Sequence, residues 1–439
     1  MARTYKMKVM FALTSIAVVL AACSGKEESG SRSGGNDANP AEPVELVFYS
    51  CGNTSEDAFN YLYGDAIRKK YPHFKLTYIS GLSASRANEL IPKMLASNTV
   101  DINFDSIGNI PACLLRFELH KDMSDLVSKH KLDLNRFEQT AVQGIRELAQ
   151  GQGLYGIPVF NNTRVMYYNK DLFDKFGVPY PKDNMSWDEA IELGRRMTRT
   201  EGGISYLGLA SSEVHQVRLN ALSVPMIDPK TGKPTINTDE RWRSILTKGF
   251  FEPNNSEIAR QIISKGFTGT NHFTKEKIVA MMPGLANQAA DQADLFAEVN
   301  WDMVTEPYYK ERPGYSSQVY PTYFSVTAQS KHRDEAMQAI SVLVSEEHQM
   351  FLSKIGQMTV LENDTIKKAL GQESRFKDRN WNAVFLQKPA PIPYKSKFDI
   401  DIEVIYRKQI RDYALGKVDL NTLLRNAEEE AVKFLEANK

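Results

Sequence analysis

Leu154-Tyr155-Gly156-Ile157-Pro158-Val159-Phe160-Asn161-Asn162-Thr163-Arg164-Val165-Met166-Tyr167-Tyr168-Asn169-Lys170-Asp171-Leu172-Phe173 reads as a strand, a polar break, a second strand and the start of a helix. Gly156 and Pro158 punctuate the first strand. Pro158 has no backbone N–H, so it does not suit an ordinary central strand position. Asn161, Asn162 and Thr163 put short hydrogen-bonding side chains into the break. Val165 to Tyr168 form an unbroken apolar and aromatic run, as a buried strand does. On pattern alone this is a strand pair within an α/β domain.

Upstream, Val44 to Tyr49 is a strand that ends at Ser50-Cys51-Gly52-Asn53-Thr54-Ser55. A helix follows from about Glu56 to Lys70, with Phe59, Leu62, Tyr63 and Ile67 at helical spacing. Lys75–Ser80 is a strand, Glu89–Ala96 a helix and Val100–Phe104 a third strand, with Asp105-Ser106-Ile107-Gly108-Asn109 as the loop after it. Alternation of strands and helices predicts a parallel α/β sheet, in which ligands bind beyond the carboxyl ends of strands. Asn53 and Asp105 stand at two such ends. Each also has a structural reading, Asn53 as a turn residue and Asp105 as a helix cap.

Downstream, Ser186 and Glu189 form a capping box opening a helix to about Arg199. Tyr206–Ala210 is a strand followed by the polar loop 211–216, and 228–233 is a turn between two short strands. Asp239 to about Phe251 is helical, and Ile278–Met282 is a buried strand running into a turn at Pro283-Gly284. The last helix, from Leu420, carries Leu423, Leu424, Ala427, Ala431, Phe434 and Leu435 on one face, a core stripe.

Tyr155-Gly156-Ile157-Pro158, then Tyr167 to Pro181, then Ser186-Trp187-Asp188-Glu189-Ala190 resemble, in that order, the extracellular solute-binding proteins of ABC importers, and the maltose-binding-protein-like family 1 in particular. Asn300 to Val304 with Glu306-Pro307 resembles that family's second crossing between lobes, and Ser330 to Ala336 its S-K-x-K-x-E-A helix start. The resemblance covers nearly all of the chain after its N-terminal leader. It implies an α/β, two-lobed periplasmic-binding-protein-like fold of type II with a hinge between the lobes. Lobe 1 would comprise 44–158 and 306–344 and lobe 2 159–305 and 345–439, with crossings near 155–165, 302–308 and 343–347. A ligand touching both lobes would favour the closed state.

By the same resemblance, Asn53 and Asp105 would reach the ligand from lobe 1, Asn162 from the crossing, Glu213 and His215 from lobe 2, and Asn287 from beyond Gly284. Phe160 and Tyr320 are the aromatic candidates, and both also read as core. The implied ligand is a carbohydrate, with an oligosaccharide leading, and the implied partners are the membrane subunits of an ABC importer. A monomer that is not an enzyme is expected. Leu285-Ala286-Asn287 stands where a sugar-stacking aromatic can follow the turn in the family, which points away from a linear maltose-like ligand. Tyr167-Tyr168 and Tyr308-Tyr309 resemble the tyrosine pairs of ferric-ion binders, but Tyr167-Tyr168 reads better as two faces of one strand.

Arg3, Lys6 and Lys8 precede an apolar run from Val9 to Ala22 that is too short for a comfortable transmembrane helix. Leu20-Ala21-Ala22-Cys23 resembles the lipobox of bacterial lipoproteins, with a signal peptide over 1–22 and lipidation at Cys23. Residues 24–43, rich in Ser, Gly, Asn and Glu and without an aromatic, read as a flexible tether. The expected location is the outer face of the cell membrane, held by the lipid.

The 439 residues exceed one ordinary core. Lys+Arg and Asp+Glu both number 54, which makes nucleic acid a poor partner. Cys51 and Cys113 could pair in an exported protein, but two unpaired, partly buried thiols are the favoured reading. G-x-x-x-x-G-K-[ST], H-E-x-x-H, G-x-S-x-G and Cys-x-x-Cys are all absent, so no metal or cofactor is expected. The alternative function is a surface-anchored carbohydrate-active enzyme, with Asp105 and Glu213 as its carboxylate pair.

Overall fold

Strand β1 (Val44–Tyr49) buries Leu46, Phe48 and Tyr49 completely and leaves Glu45 exposed. In the computed structural model, which describes residues 42–52 and 54–438, it lies beside β2 (Phe74–Ile79) and β3 (Ile102–Ser106). The expected signal peptide, the lipidated Cys23, the tether as far as 41, and Asn53 lie outside the described residues. The remaining strands are β4 (Ile157–Phe160), β5 (Arg164–Asn169), β6 (Arg199–Glu201), β7 (Ile204–Leu209), β8 (Val279–Leu285), β9 (Trp301–Thr305), β10 (Tyr315–Gln318), β11 (Thr322–Val326) and β12 (Lys388–Ala390).

These form two five-stranded sheets and one strand pair. The first sheet has the order β2-β1-β3-β11-β4, parallel across β2, β1 and β3 and antiparallel at β11 and β4. The second has the order β6-β7-β8-β5-β9, with only β7 and β8 parallel. β10 pairs with β12. The opening stretch of the sequence thus spans both sheets, because β4 belongs to the first and β5 to the second. Pro158 is tolerated because β4 is an edge strand. The chain returns through β9 in the second sheet, β10, and β11 in the first. The fold is α/β in two lobes, each with its own core.

One core gathers Phe48, Phe104, Ile157 and Phe324, the other Tyr167, Trp242, Met281 and Trp301. The segment after 345 serves both: Val360, Leu361 and Ile366 pack in the first, Leu370, Trp381 and Ile402 in the second. The helix Trp187–Met197 has the expected capping box at Ser186 and Glu189. The final helix, Leu420–Ala437, buries Leu423, Leu424, Ala427, Ala431 and Leu435, as its stripe requires.

Four expectations are corrected. Asp105 is not in a loop or at a helix cap; β3 extends to Ser106, and Asp105 pairs with Tyr323 of β11. The long-range ladder holds it in the strand. Pro283 and Gly284 are not a turn, because β8 runs through both, opposite Met166 and Val165. A Cβ on Gly284 would stand 3.2 Å from the Tyr167 ring, so the glycine there allows close approach of a side chain. The turn at 228–233 is flanked by the single bridge Ile227–Pro234 and not by two strands. Cys51 and Cys113 are joined in a disulfide, their Cα atoms 6.5 Å apart, and are not the free thiols that the sequence favours.

Candidate functional site

The carboxyl ends of β1 and β3 open onto a cavity of about 140 Å³. Its wall takes Ser50, Gly52 and Thr54 from beyond β1, Phe104, Asp105 and Ser106 from β3, and Phe160 from the end of β4. Asn287, Asp291 and Gln357 close it from the other side. Asn287 and Asp291 follow β8, so the cavity lies between the two sheets. Among the described residues, no Lys, Arg or His lines it.

Asp105 is buried and accepts hydrogen bonds from four neighbours. Cys51 N–H donates to both carboxylate oxygens at 3.1 Å, Asn103 Nδ2 at 2.9 Å, Ser50 Oγ at 3.2 Å and Asn109 Nδ2 at 3.4 Å. Burial still outweighs these bonds and pushes its carboxyl up to about 6. Asp291 faces the same cavity and is likewise pushed up to about 6 by burial, opposed by the 2.7 Å bond from Gln357 Nε2. Asn287 Nδ2 donates to Asp291 at 2.8 Å and to Gln357 Oε1 at 3.2 Å. Asn162 Nδ2 donates to Asn287 Oδ1, while Asn162 Oδ1 accepts from Thr163 N–H at 3.0 Å. Three sequence candidates, Asp105, Phe160 and Asn287, therefore line one cavity, with Asn162 bonded directly behind.

The other candidates assemble beside it. Tyr320 Oη accepts from Ser106 Oγ at 2.8 Å and from Arg218 Nη1 at 2.9 Å. Arg218 is bidentate to Glu403 at 2.7 and 3.1 Å, and a Cβ on Gly108 would meet its Cδ at 2.8 Å. The His215 ring stands edge-on to Tyr320 at 6.0 Å, and Glu213 accepts from Arg407 at 3.1 Å. Burial, then the charges of Arg218, Arg164 and Arg407, push His215 down to about 3. Deeper in, Arg164 pairs with Glu306 at 2.6 Å and donates to Gln216 Oε1 at 2.7 Å. Glu213 does not line the cavity that holds Asp105, so the carboxylate pair proposed for an enzyme does not share a site. Asn53 lies outside the described residues.

Sequence reasoning missed Asp291, Gln357, Arg218 and Glu403. Asp291 stands four residues after Asn287, a spacing that returns to the same face of a helical turn, and was legible. Gln357 and Glu403 come from the tail, and no local pattern marks them. Among the described residues, the atoms that could group around a metal are those of Cys51, Asp105 and Cys113, and the two sulfurs are bonded to each other.

Residues 52–350 match the family described as bacterial extracellular solute-binding protein. The chain belongs to that family. A curated binding protein of Brucella abortus is 28% identical over 152 residues, which are 32% of this chain and 35% of that protein. The match therefore spans about a third of the length of that curated relative. Members of solved structure share the fold over most of the chain. An ABC substrate-binding protein of Listeria monocytogenes, in complex with cycloalternan, aligns with TM-score 0.73 at 16% identity over 90% of this chain and 100% of its own. CpMnBP1, with mannotriose bound, gives 0.71 at 18% over 88% and 100%. A sugar transporter of Rhizobium etli in an open conformation gives 0.65 at 19% over 88% and 98%. At these identities the likeness establishes the fold, two lobes with a cleft between them. Family and neighbours are binding proteins. Among the described residues, no helix is long and apolar enough to cross a membrane.

Proposed function

We propose that this solute-binding protein captures a carbohydrate, with an oligosaccharide the leading ligand, between its two lobes and delivers it to the membrane subunits of an ABC importer. The observation that carries the reading is the cavity between the sheets, lined by the aromatic side chains of Tyr63, Phe104 and Phe160 and by carboxylate, amide and hydroxyl groups, with no cation among the described residues. Sugar hydroxyls pair with planar carboxylates and amides, and sugar C–H faces pack on aromatic rings. The ligand bridges lobes that rotate about the crossings near 155–165, 302–308 and 343–347, so binding favours closure. Its sugar-bound structural relatives point to the same ligand class.

A thermal-shift screen with mono- and oligosaccharides tests this. A sugar at a hundred times its dissociation constant stabilises by about 2.7 kcal/mol, a clear rise in melting temperature. No rise across the screen removes the carbohydrate reading. We further propose that Cys23 carries the lipid that holds the protein at the outer face of the cell membrane. Cys23→Ala should move it from the membrane fraction to the soluble fraction with sugar affinity unchanged; retention at the membrane refutes the anchor.

A further inference from the structure

We propose that the Cys51–Cys113 disulfide is a positioning device for the ligand site, fixing the two backbone segments that seat the Asp105 carboxylate. The inference rests on reading the cavity between the sheets as that site. The pairing of β1 with β2 and β3 ends at Tyr49. Beyond it, Ser50, Gly52 and Thr54 supply the cavity wall. Among the described residues, hydrogen bonds hold them in place. Ser50 Oγ donates to Asp105 and accepts from Gly52 N–H at 3.0 Å, and Tyr78 Oη donates to the Thr54 carbonyl at 3.0 Å. Cys51 N–H is forked across both oxygens of Asp105, and the Cys51 sulfur is tied to Cys113.

The far end of the tie is equally close to the carboxylate. Cys113 lies in the helical segment Pro111–Leu115, and its N–H donates to the carbonyl of Asn109 at 3.0 Å. Asn109 in turn donates its side-chain amide to Asp105. Tyr49 Oη donates to the Cys113 carbonyl at 3.1 Å. A ring therefore closes from Asp105 through Cys51, the disulfide, Cys113 and Asn109 back to Asp105. Both sulfurs and a carboxylate oxygen lie within 4.8 Å of one another, all buried. No other disulfide cross-links this stretch to the rest of the lobe among the described residues.

The geometry predicts what breaking the bond does. With the sulfurs parted, Ser50 to Gly52 can swing away and take the Cys51 N–H with them, the one backbone donor to Asp105 among the described residues. The swing removes a hydrogen bond that holds the Asp105 carboxyl down, and it admits water that relieves the burial holding it up; burial is the larger cause, so Asp105 should titrate at lower pH. Among the described residues, the other titratable groups facing it are the hydroxyls of Tyr49 and Tyr78 from β1 and β2, and Tyr63 and Asp291 in the cavity wall, none of them cationic.

The test compares the full chain with Cys51→Ser/Cys113→Ser and with Ile340→Val, a substitution in the first core away from the cavity. NMR titration of the Asp105 carboxyl in ligand-free protein is the first readout. Its midpoint should fall in the double variant and stay near the wild-type value in Ile340→Val. Calorimetric titration with mannotriose, well below the melting temperature, is the second; about tenfold weaker binding is expected in the double variant alone. An unchanged midpoint overturns the proposal, whatever happens to melting temperature. If mannotriose and the wider sugar screen bind to nothing, the carbohydrate reading fails, while the midpoint still decides the role of the disulfide. Should the double variant not fold, wild-type protein reduced with a phosphine in the cold gives the same comparison, and an unchanged midpoint there overturns the proposal equally.

Discussion

The cavity of Asp105 and Asp291 and the cluster of Arg218, His215 and Tyr320 meet at Ser106, yet they handle buried charge in different ways. In the cavity, two carboxylates face only amides, hydroxyls and a backbone N–H, and both are pushed up to about 6. In the cluster, Arg218 has Glu403, Arg407 has Glu213 and Arg164 has Glu306, and His215 is pushed down to about 3 by burial first and then by the charges of Arg218, Arg164 and Arg407. The difference separates groups kept for a ligand from groups kept for the fold. A carboxylate without a cation still has capacity for hydroxyl donors. An ion pair already satisfied by its partner has little to offer and is there to lock elements together.

The largest effect should come from the cluster's inner pair. Arg164 and Glu306 are 1% and 2% exposed, so removing one partner strands a buried charge. Arg164→Ala should lose about 3–5 kcal/mol in urea unfolding, and Arg164→Met/Glu306→Leu much less. A single substitution as mild as the double one would break the contrast.

A pH series sharpens it. Asp291 is raised from 3.8 to about 6 on folding, so its contribution to stability is full below pH 3.8 and is lost as pH rises through 6. His215 is lowered from 6.5 to about 3, so its contribution is full above pH 6.5 and is lost as pH falls. Each is worth on the order of 3 kcal/mol between pH 4 and pH 7. Relative to wild type, Asp291→Asn should gain less stability, or lose more, on acidification from pH 7 to pH 4, and His215→Gln should do the reverse. Unfolding free energies across that range check this; slopes that change in the same direction would show that the two regions are not electrostatically distinct.

The smallest expected effect is on ligand affinity. Asn162 is 2% exposed and links the crossing to Asn287 in the cavity wall. Asn162→Ala should weaken sugar binding by about 1–3 kcal/mol, roughly 5- to 150-fold. Calorimetric titration beside a melting curve decides it. Unchanged affinity with a lower melting temperature would confine Asn162 to holding Thr163 N–H and Asn287, and remove it from the site.

Much of the fold could be read locally. Period-two and period-3.6 patterns, the Ser186–Glu189 capping box and the final helical stripe need only neighbours a turn or a strand away, and so the sequence carries them. The run from Ile157 to Asn169 likewise announces two strands with a polar break. That they belong to different sheets followed from family resemblance, because pairing is made with β11 on one side and with β8 and β9 on the other. The corrected expectations share a cause. Asp105 in β3, Pro283 and Gly284 in β8, and the bond from Cys51 to Cys113 were set by partners 60 or more residues away, where packing and ladder hydrogen bonds override local preference. The site shows the same division. Asp105 could be nominated from the end of a strand and Asn287 from the family resemblance, whereas Asp291, Gln357, Arg218 and Glu403 became neighbours only when the tail and both sheets had closed around the cavity, since burial and charge fields depend on distance in space and not along the chain.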